Sequence, residues 1–231
     1  MNNTYNIIGD IHARTCWKKL VREECVNIFV GDYFDPYENC VPQVERMANF
    51  YEILDFKRQH PETVLLYGNH DLHYLISKEH YSRYEPLYAP EYRNAFMQSL
   101  SLFYGIAYPI GDKALVSHAG VTKEWYEKYF APYQSEPIAE VAHKINDRWS
   151  QDKEAFTFDA NVSEWGDYYG TSPTHSPVWI RPEVLVQHDL FGGIIKQIIG
   201  HTQTGAGVTK DHNIICVDCL ATKESSYIFE A

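Results

Sequence analysis

At 231 residues the chain can bury one sizeable core, and α/β folds of this length are commonly a single domain. Twenty Lys and Arg against 31 Asp and Glu leave a net charge of −11, a poor match to a polyanionic backbone, whose binding rests on basic groups that neutralise phosphates. Long DNA or RNA is therefore excluded as a partner, and the absence of any run of about 18 apolar residues argues against a membrane span.

Met1 to Tyr5 leads straight into Ile7-Ile8-Gly9-Asp10-Ile11-His12, an apolar run closed by glycine and then by an acid and an imidazole. No charged segment followed by an apolar stretch precedes it, so a soluble cytoplasmic protein is expected. Trp17, Leu20, Val21 and Cys25 then share one helical face, and Ile28-Phe29-Val30-Gly31-Asp32 repeats the first pattern. A second helix is predicted with Val44, Met47, Tyr51 and Leu54 inward and Pro61 beyond its end. Leu65-Leu66-Tyr67-Gly68-Asn69-His70-Asp71 is the third block; a helix from Leu72 to Lys78, a Tyr- and Pro-rich loop and a helix around Glu91 to Phe103 follow. Leu115-Val116-Ser117-His118 and Ile198-Ile199-Gly200-His201 complete the series. Between the last two, residues 121–180 hold Trp125, Trp149, Trp165 and Trp179 and a polar stretch from Thr171 to Pro177, which reads as a helical and loop insertion walling the site within one domain over 1–231. Strands over 213–218 and 227–229 close the chain, read as an antiparallel pair.

The apolar runs are continuous rather than alternating, as in strands covered on both faces, and helices between them imply βαβ units. Ligands at the carboxyl ends of such strands stand where an open α/β sheet places its site. Pooled there, carboxylates, one amide oxygen and several imidazoles suit a pair of divalent transition ions better than calcium. Turn chemistry and satisfied core histidines account for any one block. They give no reason for Asp, His, Asp, Asn, His and His to stand at successive strand ends. Asp10 and His12, two residues apart, can share one ion, while a single Asp32 bridging two cations holds them roughly 3.5–4 Å apart. The cysteines are odd in number and irregularly spaced, so reduced thiols are expected, and Cys216-Val217-Asp218-Cys219 reads as buried strand rather than as a zinc site.

Gly9 to His12, Gly31 to Asp35, Gly68 to Asp71, His118 to Gly120 and Gly200-His201 together resemble, over nearly the whole chain, the motif series of the calcineurin-like metallophosphoesterases. Within that superfamily they are similar to the phosphoprotein phosphatase branch, which includes bacterial protein phosphatases and symmetrical diadenosine tetraphosphatases. The resemblance implies a four-layer αββα sandwich, two mixed sheets flanked by helices. It implies a binuclear centre, with Asp10, His12 and Asp32 on the first metal and Asp32, Asn69, His118 and His201 on the second. Manganese is the first expectation for these two divalent ions, with iron, zinc or magnesium as alternatives. In such a centre a hydroxide bridging the metals attacks phosphorus in line, His70 protonates the leaving oxygen and Asp35 orients His70. Asn69 and Arg181 are expected to contact the substrate phosphate. Where the family carries an arginine after the second acid of its GDxxD block, this chain has Pro36. His73, one helical turn from His70, is read as packing, with substrate contact as the alternative. The implied substrate is a phosphoprotein, with serine/threonine phosphatase activity; a dinucleoside polyphosphate or another phosphorylated small molecule or nucleotide is the alternative, and a non-catalytic binding module the remote one.

Overall fold

The computed structural model describes residues 4–37, 41–76, 81–158 and 169–231. One sheet is built from β1 (Thr4–Ile8), β2 (Val26–Phe29), β3 (Val64–Leu65) and β9 (Tyr227–Glu230), in the order β3-β2-β1-β9. The other holds β4 (Ala107–Ile110), β5 (Ala114–Ser117), β6 (Lys196–Ile199), β7 (Thr209–Asp211) and β8 (Ile214–Cys216), in the order β4-β5-β6-β8-β7. In each sheet the inner pairs are parallel, β1 with β2 and β2 with β3, and β5 with β6 and β6 with β8; β9, β4 and β7 are antiparallel at edges.

Strand side chains alternate between two apolar environments, which is why the runs are apolar throughout. Ile7, Ile28, Val64 and Leu66 point into the space between the sheets, where they meet Val116, Ile198 and Ile215. Ile8, Phe29 and Leu65 face the opposite way, onto Phe50, Ile53 and Leu54 of α2 (Gln43–Gln59) and Phe96 of α4 (Ala89–Ser99). On the far side of the second sheet, Ile199, Ile214 and Cys216 pack on Leu185 of the short helix α7 (Pro182–Leu185). Two mixed sheets flanked by helices result. The one polar pair within β1 and β2, Asn6 opposite Asn27, is buried, and Asn6 Nδ2 donates to Asn27 Oδ1 and to the Leu20 carbonyl, both at 2.8 Å.

Several expectations are corrected. The first helix, α1, covers only Trp17–Leu20, and Cys25 lies in the turn before β2. On α2, Val44 and Tyr51 are 69% and 40% exposed, and the inward face is Asn49, Phe50, Ile53 and Leu54. Apolar residues lie around much of this helix, so periodicity does not choose a face; the fit of Phe50 against Tyr33, Phe34 and Phe96 does. Helix α3 (Asn69–Leu75) begins at Asn69, three residues earlier than expected, and Lys78 lies outside the described residues. After α4 the chain continues to Leu102 as a 3₁₀ turn.

The final strands do not pair with each other. β8 pairs with β6 and β7, whereas β9 crosses to the other sheet and pairs with β1. β4 and β7 are strands that periodicity missed, the first short and only partly buried, the second an exposed Thr209-Lys210-Asp211 with no apolar residue. Within residues 121–180, α5 (Lys123–Tyr129) and α6 (Ile138–Gln151) put Trp125, Ile145 and Trp149 into the main core. Much of this segment therefore builds the helical layer rather than only the site wall. The stretch from Thr171 to Pro177 is packed inward, with His175 and Ser176 buried and the Pro177 carbonyl accepting from Ala119 N–H at 2.6 Å. Trp165 and Cys40 lie outside the described residues, and Cys16, Cys25, Cys216 and Cys219 are free thiols.

Candidate metal centre

Every expected ligand lies just past the carboxyl end of a strand: Asp10 and His12 after β1, Asp32 after β2, Asn69 after β3, His118 after β5 and His201 after β6. The fold draws these loops together through the backbone. N–H groups of His12 and Ala13 donate to the carbonyls of Asp32 and Tyr33 at 2.6 and 3.0 Å, and Gly200 N–H donates to the His118 carbonyl at 2.8 Å. Close approach requires glycine at two of the joints: a Cβ on Gly200 would collide with the Asp10 carboxylate, and one on Gly68 with that of Asp32. His12, Asp32, Asp35 and His201 all hold positive φ, between 45° and 63°. Such backbone is costly for non-glycine residues and persists where the surroundings enforce it.

Asp10, His12 and Asp32 offer ligand atoms that all lie within 4.8 Å of one another. Asp32 Oδ2 stands 3.4 Å from His12 Nε2 and 3.5 Å from His118 Nε2, placing one carboxylate oxygen between two imidazoles. Asn69 Oδ1 lies 2.8 Å from His118 Nε2 and 2.9 Å from His201 Nδ1. All six residues are buried or nearly so, and they converge as expected.

The protonation states show that this donor set fits cations. His118 Nδ1–H donates to the Val30 carbonyl at 2.8 Å, and burial pushes the imidazole down to about 3. At neutral pH its Nε2 therefore presents a lone pair toward the oxygens of Asn69 and Asp32. His12 repeats this arrangement, with Nδ1–H donating to the Asp35 carbonyl at 3.0 Å and burial holding its pKa well below the usual value. His201 is likewise lowered by burial, and its buried Nε2 makes no hydrogen bond. Burial, with the neighbouring charges of Asp218 and Asp32, pushes Asp10 well up, and burial does the same to Asp32. Lone pairs facing lone pairs and carboxylates crowded out of water are costly unless positive charge stands between them. Divalent ions meet that need, and the backbone acceptors behind His118 and His12 orient the imidazoles for them.

Beside this cluster, His70 Nδ1–H donates to Asp35 Oδ2 at 3.0 Å. The same oxygen accepts from His73 Nε2 at 2.6 Å, and Tyr74 OH donates to Oδ1. His73 is thus part of the Asp35 network, which corrects its reading as packing alone. Burial acts to raise the Asp35 carboxyl, but the hydrogen bonds from His70 and His73 outweigh it and hold the pKa below the ordinary value. Asp35, His70 and His73 also gather closely enough to hold an ion, yet their facing atoms are already joined by these hydrogen bonds.

Asp71 and Asp218 are the residues near the centre whose part sequence reasoning missed. The Asp71 carboxylate accepts from the N–H groups of Asp32, Tyr33 and Gly68 at 2.9, 3.0 and 2.8 Å, so it ties the β2 loop to the start of α3. An acid three residues after a candidate N-cap is the signal that could have found it. Asp218, after β8, is buried against the centre; burial raises it to about 6.

A cavity of about 450 Å³ opens over Asp32, Asn69, His70 and His201, walled by Tyr37, Tyr81, Phe158, Trp179 and Arg181. Arg181 is fixed by its Nε–H on the Tyr169 carbonyl at 2.9 Å and by Nη1 on Thr202 Oγ1 at 3.2 Å.

The family model for calcineurin-like phosphoesterases matches residues 4–204. The chain belongs to the calcineurin-like phosphoesterase family. As such a phosphoesterase it is a metal-dependent phosphoester hydrolase, and the family implies a binuclear divalent centre, which the clustered donors above can accommodate. No curated protein matches it in sequence. In fold this phosphoesterase is similar to the cold-active protein-tyrosine phosphatase of a psychrophilic Shewanella species, with a TM-score of 0.59 and 18% identity over 98% of this chain and 75% of that one. It is also similar to a protein serine/threonine phosphatase from Saccharomyces cerevisiae, with a TM-score of 0.53 and 16% identity over 93% of this chain and 66% of that one. At these identities the likeness is one of fold. Among the described residues, no helix of this phosphoesterase is long and apolar enough to cross a membrane.

Proposed function

We propose that this phosphoesterase cleaves phosphate monoesters as a protein serine/threonine phosphatase-like enzyme, with Asp10, His12 and Asp32 holding one ion and Asp32, Asn69, His118 and His201 the other. The position of Asp32 Oδ2 between His12 Nε2 and His118 Nε2 carries this reading, because it is where a bridging ligand must stand. When bound, the ions supply Lewis acidity to the phosphoryl oxygens and make water acidic enough to react near neutral pH. Manganese is the expected metal.

His70 is the general acid in this reading. Its Nδ1–H is committed to Asp35, so Nε2, on a residue lining the cavity, carries the proton that the leaving oxygen needs. Asp35 keeps the imidazole oriented, and His73 and Tyr74 hold Asp35 in place. Arg181, whose neighbours leave part of its guanidinium uncommitted, contacts the phosphate at the cavity wall with Asn69.

A dinucleoside polyphosphate is the second reading, supported by the Tyr37, Tyr81, Phe158 and Trp179 rings around the cavity, on which a base can stack. Turnover of phosphopeptides, nucleotides and dinucleoside polyphosphates by the manganese-loaded protein separates the two. Preference for phosphopeptides is the expected result, and a kcat/KM confined to dinucleoside polyphosphates would replace it with the alternative.

A further inference from the structure

An anionic substrate entering this cavity meets Asp32, with the buried acids Asp10, Asp35 and Asp218 near it. Positive side chains at the mouth therefore decide which anions are held. Arg181 stands on one wall. A second guanidinium, Arg83, sits beside the other, on the segment between α3 and α4, and it belongs to none of the motifs that define the centre.

Two contacts hold Arg83. Its Cζ lies 3.9 Å from the centre of the Tyr37 ring, a stacking distance, and its Nη1 donates to the Pro36 carbonyl at 3.2 Å. The Tyr37 ring in turn stands edge-on to His12, with centroids 4.6 Å apart, and 6.4 Å from His70. Arg83 itself has φ +68°, a left-handed backbone uncommon for a side chain of this size. Ser82 and Tyr37, its neighbours in sequence and in space, line the cavity. Among the described residues no carboxylate pairs with Arg83. The side chain is exposed, yet it is held in one orientation, with its other N–H donors uncommitted.

The stack thus runs from the site imidazoles through Tyr37 to Arg83. That puts the guanidinium one ring's width outside the atoms that face the reacting phosphoryl group, too far out to grip that group and well placed for the next anion along the substrate. We propose that Arg83, held by Tyr37 and the Pro36 carbonyl, is a specificity residue that binds a second phosphate of the substrate. Resting on the hydrolase reading above, this makes the favoured substrates those in which a second phosphate stands beside the phosphoryl group being cleaved, a doubly phosphorylated peptide within the first reading or a polyphosphate chain within the second, over esters with a single phosphate.

The direct test is calorimetry of pyrophosphate and orthophosphate binding to the manganese-loaded wild type and to Arg83→Ala and Arg83→Lys. Loss of a charge-assisted contact predicts a Kd for pyrophosphate about tenfold weaker in Arg83→Ala, with partial recovery in Arg83→Lys and a much smaller change for orthophosphate. In turnover, the loss should appear in KM for a nucleoside diphosphate more than in kcat, and more than for p-nitrophenyl phosphate. Equal losses for both anions would make Arg83 a support for Tyr37 rather than a specificity residue, and an unchanged pyrophosphate Kd would remove it from binding altogether. If the wild type binds orthophosphate and cleaves esters but Arg83 adds nothing for pyrophosphate, this proposal alone fails. A wild type that binds neither anion and cleaves no ester overturns the hydrolase reading as well.

Discussion

The backbone N–H of Asp32 donates to Asp71 Oδ2 at 2.9 Å, so the carboxylate proposed to bridge the metals is positioned by one outside the proposed ligand set. With two further N–H groups from Tyr33 and Gly68 on the same carboxyl, Asp71 sets the φ +58° conformation of Asp32 and the start of α3 at once. Asp71→Asn leaves fewer acceptors for the three donors. Its metal affinity should fall by about 10- to 100-fold, as for other supports of metal ligands, with far-ultraviolet circular dichroism unchanged. A folded variant with wild-type metal affinity in titration calorimetry would show that the Asp32 loop holds itself.

Asp32→Asn removes the charge that two ions share, so both should bind more weakly and turnover should be lost. Elemental analysis after dialysis is the measurement. Two tightly held metals in this variant would show that the gap between His12 and His118 is not a bridging position.

His70→Ala should keep both metals, because its ring is committed to Asp35 rather than to the cluster. A positioned acid contributes about 10²- to 10⁴-fold, and the loss should be greatest for alkyl phosphates and small for p-nitrophenyl phosphate, whose leaving group barely needs a proton. Equal losses across leaving groups would take His70 out of that role.

Asp218 links the metal-free centre to pH. Its carboxyl titrates near 3.8 when unfolded and is raised by burial to about 6 when folded. The folded state therefore binds this proton more tightly; the stability it confers is complete below the unfolded value and is lost as pH rises through the folded one, at up to about 1.4 kcal/mol per pH unit. Asp218→Asn removes that loss and also the like charge pressing on Asp10. In chelator, the melting temperature of the variant should gain on wild type between about pH 4 and pH 6 and keep the gain above. A difference that does not change with pH would mean that Asp218 is not charged against the cluster.

Asp10, His12, Asp32, Asn69, His118 and His201 were legible in the chain because they stand shortly after five strands, Asp10 and His12 both after β1, so a local pattern of apolar run, small residue and ligand carries the information. The same pattern specified parallel strands covered on both faces, and the family likeness supplied their grouping into two sheets. What no local pattern contains is a choice among partners distant in sequence. Asp71 acts on a residue 39 positions away, and the network joining His73 to Asp35 spans 38. The inward face of α2 was decided by how Phe50 fits Tyr33, Phe34 and Phe96, not by its periodicity, since apolar residues surround that helix. Likewise β8 and β9, adjacent in the chain, join different sheets because β1 and β6 each expose an unpaired edge that a neighbouring strand must complete. Composition and spacing determined which groups reach the centre. Packing between distant segments decided how they are held, what charges they carry and which side chains, Arg83 among them, stand at its mouth.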